Sequence, residues 1–325
     1  MAQAIEAHDL VKTYAGDVKA LNELSFSVQQ GTVFGLLGPN GAGKSTTVKI
    51  LTTLSRADSG SATVAGFDVA SQAEMVRRNI GVVQQGTTVD REATGRENMR
   101  LQGQVYGLRG RGLENRISEL LDRFALTDAA DRIARGYSGG MERRLHVAMA
   151  LINQPSVLFL DEPTTGLDPE VRADMWTEIS RLANDQGLTI LLTTHYLEEA
   201  DNLASQLAIV DRGRVVAEGT PEGLKADLRG DAIHVELAQA EGNGHVTGAL
   251  AELGGIREVA VDGRTLHARA DDGARAVPVV LQALESRGID VASVSVARPS
   301  LDDVYLRYTG RTFDKAEAEA GEKSR

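Results

Sequence analysis

The chain has 325 residues, a length that accommodates two domains, and its 42% apolar content is enough for a sizeable core. It has no cysteine, which excludes a disulfide framework and any thiolate metal site and fits a reducing compartment. The net charge of −11 is spread along the chain with no basic block, which argues against a broad positive face for nucleic acid.

Residues 1–30 alternate short apolar strands with turns, AIEAHDLVKTY and then ALNELSFSV. TVFGLLG follows as a buried strand, KSTTVKILTTL as a helix, and GSATVAG as a strand between glycines. Residues 95–136 carry Leu, Arg, Glu and Ala at helical spacing, an inserted helical layer. VLFLDE (157–162) and TILLTTH (189–195) are apolar strands separated by the helix pattern EVRADMWTEISRLAND. This alternation points to an α/β fold with a parallel sheet covered on both faces. QLAIVDRGRVVAEG reads as a hairpin turning at Arg212 and Gly213, and GRVVAEGTPEGLKADLRG closes the first domain at about residue 230.

From 231 the pattern changes. AIHVELA and LHARA read as strands, VTGALAELGG and AVPVVLQALESRG as helices, and DVASVSVARPSLDDVYLRY ends a small α+β domain over 231–310. No polar cluster in this stretch marks a ligand site. Residues 311–325, charged and rich in Glu, Ala and Lys, are expected to fray. The longest apolar runs are far too short to span a bilayer, and the start, MAQAIEAHDLVKTY, lacks the basic-then-apolar order of a secretory leader. Action at a membrane would therefore need spans supplied by another chain.

Gly38, Pro39, Asn40, Gly41, Ala42, Gly43, Lys44 and Ser45 match G-x-x-x-x-G-K-[ST], with Thr46 next, between a strand and a helix. Glycines let the backbone aim several N–H groups at phosphates, and the helix N-terminus adds its positive dipole end. Lys44 is expected on the β- and γ-phosphates of a nucleotide and Ser45 on Mg²⁺. Asp161 and Glu162 end an apolar strand at the edge where such sheets bind ligands. Asp161 suits a Mg²⁺ anchor, and Glu162, pointing elsewhere, suits the base that polarises a water. The plainer alternative is a pair of helix-capping carboxylates. His195 ends the next strand, placed to bond the γ-phosphate and orient Glu162, or simply to face solvent. His8, His146, His234, His245 and His267 lack such a setting and receive no catalytic role.

Ser138, Gly139 and Gly140 precede MERRLHVAMALIN, where Met141, Leu145, Ala148, Met149 and Ile152 recur at helical spacing. They form a second anion-binding helix start. One nucleotide already has its phosphates covered by the first loop, so the second suits another molecule's nucleotide.

GPNGAGKS, YSGGM, LFLDEPTTGLD and LLTTH, in this order and at these separations, resemble the ATP-binding subunits of ATP-binding-cassette (ABC) transporters over residues 4–225. The resemblance implies a P-loop NTPase cassette with a RecA-like core, an antiparallel β subdomain and a helical subdomain over about 95–150. It also implies a homodimer packed head to tail, with each ATP held between one chain's P-loop and the other's YSGGM. Tyr14 matches the family's adenine-stacking aromatic, the alternative being a packed strand tyrosine. Gln85 matches the glutamine that contacts Mg²⁺ and the membrane partner, and Gln84 beside it leaves that choice to spacing. Asp168, in TGLD, matches a cross-dimer contact. Tyr137 stands where the family usually has Leu, and Met141 where Gln is common.

VKTYAG, YSGGMERRL, LTTHYLEEAD and the tail PSLDDVYLRYTG narrow the resemblance to the daunorubicin-resistance type of ATP-binding subunit. That group implies an ATPase on the cytoplasmic face of the cell membrane, driving drug export through a separate permease, with a regulatory or dimer-stabilising C-terminal domain. An importer ATPase and a soluble cassette working on ribosomes or nucleic acid are the other readings. The second would want two cassettes in tandem, a coiled-coil insert or a basic stripe, and none is present.

Overall fold

A computed structural model describes residues 2–86, 88–240, 243–250 and 253–323. The chain divides into two compact units, Met1–Val215 and Val216–Arg325. The first unit runs β1 (Gln3–Tyr14), β2 (Val18–Gln29), β3 (Val33–Leu37), α1 (Lys44–Leu51), β4 (Ser59–Val64), β5 (Phe67–Asp68), α2 (Ala73–Asn79) and β6 (Ile80–Val83). It continues through α3 (Gly95–Val105), α4 (Gly110–Arg123), α5 (Gly139–Ala150), β7 (Val157–Asp161), α6 (Pro169–Gln186), β8 (Thr189–Thr194), α7 (Leu197–Leu203) and β9 (Gln206–Asp211). β10 (Arg214–Gly219) forms the edge of the main sheet, in the order β10-β9-β3-β8-β7-β6.

The pairs β9/β3, β3/β8, β8/β7 and β7/β6 are all parallel. Every residue of β3 and β8 is buried, as expected of strands covered on both faces. A second sheet, β2-β1-β4-β5, is antiparallel. The β9–β10 connection turns at Arg212 and Gly213, both in the left-handed region (φ 48° and 76°), as a two-residue hairpin requires. The helical layer is α3 and α4 together with α5. Leu113, Ile117, Leu120 and Leu121 bury one stripe of α4, and a capping box closes the start of α3 through Thr94 and Glu97.

The second unit holds α8 (Pro221–Ala226), β11 (Asp231–Leu237), α9 (Asn243–Leu250), β12 (Ile256–Asp262), β13 (Thr265–Ala270), α10 (Gly273–Ser286), β14 (Val291–Ala297), α11 (Leu301–Thr309) and α12 (Phe313–Lys323). Its antiparallel sheet has the order β12-β13-β11-β14. Ile233, Val235, Leu266 and Ala268 form one apolar core with Val246, Val280 and Leu284 of α9 and α10. The helix expected over VTGALAELGG includes residues 251–252, which lie outside the described residues. The unit begins within β10 rather than at 231, because α8 packs against α11. The tail expected to fray carries α12, anchored by Phe313, which is buried edge-on against Tyr305, and by Ala316. Residues 324–325 lie outside the described residues.

Candidate active site

Parallel register brings the chemistry-bearing residues to one sheet edge. Leu37 pairs with Thr194, Asp161 with Thr193, and Val83 with Leu160. The loop after β3, the carboxylates ending β7, His195 after β8 and Gln85 after β6 therefore all lie at the carboxyl end of the sheet, where α/β folds bind ligands.

The first loop is shaped by close approaches. A Cβ on Gly38 would stand 2.3 Å from the Val210 carbonyl oxygen, and one on Gly43 (φ 112°) 2.6 Å from that of Ala20. Only glycine fits either place. Gly38 N–H donates to Thr194 O and Gly213 N–H to Ala42 O, which ties the loop to β8 and to the β9–β10 turn. α1 has no side-chain cap and no acidic residue in its first turn, so nothing there competes with an anion. Lys44 is 4% exposed, and its Nζ donates to the carbonyls of Gly38 (2.5 Å) and Pro39 (3.1 Å). Ser45 Oγ stands 3.4 Å from Asp161 Oδ1, which also accepts from Thr193 Oγ1 at 2.5 Å.

Glu162 is the convergence point. It is 7% exposed and sits at φ 49°, a strained setting for a side-chain-bearing residue, held by its own N–H bonding to Thr193. Gln85 Nε2 donates to Oε2 at 2.9 Å and Thr165 Oγ1 at 3.2 Å, while Lys44 Nζ lies 4.0 Å from Oε1. His195 Nδ1 is 3.2 Å from Oε1. The His195 contact, helped by Lys44, holds the Glu162 carboxyl below its usual range against the opposing effect of burial. Glu162 is thus a fixed, ionised acceptor. Ser45, Asp161 and the amide oxygen of Gln85 are hard oxygen donors, the chemistry that Mg²⁺ takes.

The sequence reading missed Arg143, which reaches from α5 to the backbone after β6 and after β7. It donates to the carbonyls of Pro163 (2.7 Å), Gln84 (2.9 Å), Glu162 (3.1 Å) and Asp161 (3.4 Å). Glu142 receives Arg91 at 2.8 Å, and His146 Nε2 lies 3.0 Å from Thr88 Oγ1. Three successive polar contacts therefore fasten α5 to the segment after β6. Burial and the Arg143 charge press His146 down to about 4, so it stays neutral at physiological pH.

The other candidates are placed as follows. Ser138 is the N-cap of α5 and accepts from Met141 N–H. A Cβ on Gly139 would meet open space, whereas one on Gly140 would press on Val171 at 2.7 Å, so the second glycine is there for packing. Tyr137 turns away from the loop surface: it is 9% exposed, donates its hydroxyl to Ala129 O at 2.6 Å and lies against Gly95. It anchors the helical layer and offers no ring to a nucleotide. Asp168 caps α6 by accepting from Val171 N–H. Tyr14 ends β1 and is 41% exposed, with Lys12 Nζ 5.7 Å from its ring. Tyr14 pairs with Val18 of β2 at the end of the strand.

The phosphate loop, the paired carboxylates at a parallel-sheet edge and a second glycine-led helix start define an ATP-hydrolysing cassette, and the sequence profile of the ABC transporter family matches residues 21–165. The chain belongs to the ABC transporter ATP-binding family. A second profile, the C-terminal domain of DrrA1-3-like ATP-binding proteins, matches residues 219–309. The chain is 46% identical to the daunorubicin resistance ATP-binding protein DrrA2 of Streptomyces coeruleorubidus over 97% of its length and 98% of the relative's. It is 43% identical to the daunorubicin/doxorubicin resistance ATP-binding protein DrrA of Streptomyces peucetius over 99% and 98%. Its fold resembles MJ0796, a bacterial ABC transporter cassette solved as a dimer, with a TM-score of 0.60 and 25% identity over 66% of this chain and 98% of that one. The chain is an ATPase subunit.

Proposed function

We propose that this ATPase works as a head-to-tail homodimer around two Mg-ATP, on the cytoplasmic face of a membrane, and drives export of a drug-like hydrophobic compound through a separate permease. The observation that carries the catalytic part is the convergence of Lys44, Gln85, Thr165 and His195 on the ionised Glu162. The export part rests on the likeness to the drug-resistance subunits along nearly the whole chain. Among the described residues no helix is long and apolar enough to cross a membrane, and in this reading the spans are a permease's.

In this reading the backbone N–H groups of the 38–46 loop and Lys44 bind the β- and γ-phosphates, and Lys44 exchanges its two carbonyl partners for phosphate oxygens. Ser45, Asp161 and Gln85 would hold Mg²⁺, which would neutralise phosphate charge when bound. Glu162 accepts the proton of the attacking water, and His195 fixes Glu162 and donates toward the γ-phosphate. Tyr14 stacks on adenine. Ser138 and Gly139 of the opposing chain close over the γ-phosphate, so closure depends on ATP. Arg143 acts as a positioning residue, because it ties the second chain-end of the site, α5, to the Gln84 and Glu162 backbone. The permease then follows closure through the Gln85 loop and the helical layer, and the coupling equals the difference in ATP affinity between closed and open dimers.

The test is purification of the tagged chain from detergent-solubilised membranes of its own cells. A co-purifying polytopic membrane protein that stimulates, or is stimulated by, ATP turnover supports the export reading. Recovery with ribosomes or DNA and no membrane protein overturns it.

A further inference from the structure

The sheet of the second unit has one apolar face and one polar face. Ile233, Val235, Leu266 and Ala268 point into the core, so the alternating residues His234, His267 and Arg269 lie on the opposite face, where α11 carries Asp303 and Arg307. His234 and His267 are direct cross-strand partners, with their Nδ1 atoms 3.1 Å apart. Asp303 Oδ1 is 3.9 Å from His234 Nε2, and one ligand atom from each of the three residues lies within 4.8 Å of the others. His267 and Asp303 are 8% and 7% exposed and line a cavity of about 270 Å³ that also receives Glu258 and Arg269.

We propose that His234, His267 and Asp303 form a site for a zinc-class divalent ion that bridges β11, β13 and α11. The donor set argues for that class. Two imidazoles and one carboxylate suit Zn²⁺, Co²⁺ or Ni²⁺, whereas Mg²⁺ takes oxygen donors. Two nitrogens at the usual zinc distance stand roughly 3.3 Å apart in a tetrahedral site, close to the spacing already present. The carboxylate is oriented as a ligand's usually is. Asp303 Oδ2 accepts from Ser300 N–H at 2.8 Å and from Ser300 Oγ at 2.7 Å, which leaves Oδ1 turned to the histidines. Asp302 and Asp262 add negative field at His267. Glu258 lies 3.5 Å from Arg269 Nε and 2.8 Å from Arg307, which offsets part of the positive charge beside the cavity. Three protein ligands leave a position open for water or another donor, and the ion would fasten α11 to the sheet. The site is independent of the nucleotide chemistry.

The test uses the untagged full chain, freed of metal with chelator, without nucleotide and with Mg²⁺ in excess so that carboxylate-only sites are filled. Co²⁺ is added and its visible absorption followed, then displaced with Zn²⁺. The expected result is one Co²⁺ per chain with the intense bands of a four- or five-coordinate ion, displaced by Zn²⁺, and Zn²⁺ that raises the melting temperature. His267→Gln and the more exposed His234→Gln should each weaken binding at least tenfold, and Ser300→Ala should weaken it by about tenfold through Asp303. Should His267→Gln fail to fold, His234→Gln carries the same comparison. No saturable Co²⁺ spectrum in the wild type, or equal affinity in His234→Gln, overturns the proposal.

Discussion

Replacing Arg143 with Met keeps the stem of the side chain and removes the guanidinium that α5 places among four backbone carbonyls. Three of those contacts, to Pro163, Gln84 and Glu162, lie between 2.7 and 3.1 Å. Charge-assisted hydrogen bonds contribute about 1.5–3 kcal/mol each, so three set a ceiling of roughly 4.5–9 kcal/mol. Water admitted to the site and non-additivity reduce this, and the expected loss of stability is about 3–5 kcal/mol. The loss should fall on turnover more than on nucleotide affinity, because Arg143 orders Gln85 and Glu162 while the 38–46 loop is tied to β8 and the β9–β10 turn. Urea unfolding gives the first quantity, and ATPase kinetics alongside fluorescent-nucleotide binding give the second. Arg143→Lys, which can serve only part of the set, should fall between. A stability change under about 1 kcal/mol with turnover within twofold of wild type would refute the clamp.

Four further outcomes follow from the same geometry. Glu162→Gln should bind ATP normally but turn over roughly 10²–10⁴-fold slower, as measured by phosphate release, while Lys44→Ala should lose nucleotide binding altogether. Gly95→Ala should be destabilised, because its new Cβ would stand 2.3 Å from the Tyr137 hydroxyl; Tyr137→Leu in the same chain should recover part of that loss, and a double-mutant cycle in urea showing simple additivity would remove the contact from the account. His146 has a folded value of about 4 against an ordinary 6.5, so the unfolded chain binds a proton between those values that the native chain refuses. Stability should therefore be flat above pH 6.5 and fall by about 3 kcal/mol toward pH 4, with a shallower slope in His146→Gln; equal slopes in both proteins would count against it.

The cassette was legible because its chemistry is local. GPNGAGKS sets its own turn, strand and helix, and the strands VLFLDE and TILLTTH carry their carboxylates and histidine to a shared edge through parallel pairing alone. Residues whose work depends on a distant partner could not be read. Arg143 looks like one of two adjacent surface arginines, yet its targets are backbone carbonyls, which leave no mark in a side-chain pattern. Tyr137 reads as a variant of a phosphate-binding motif, but Gly95, far earlier in the chain, makes the room that turns it inward. No polar cluster marked a ligand site in 231–310 of the sequence for the same reason: His234 and His267 are thirty-three positions apart and meet only through strand register. The tail was misjudged because its charge conceals Phe313 and Ala316, which dock one face of α12.

The head-to-tail arrangement is tested most directly by mixing two inactive chains, one carrying Lys44→Ala and the other Ser138→Arg. Each alone should be unable to hydrolyse ATP. In a mixed dimer the intact phosphate loop of one chain faces the intact Ser138 of the other, so hydrolysis should return on mixing and rise with total protein concentration. A mixture as inactive as its components, under conditions where the wild-type chain hydrolyses ATP, would contradict a site shared between two chains.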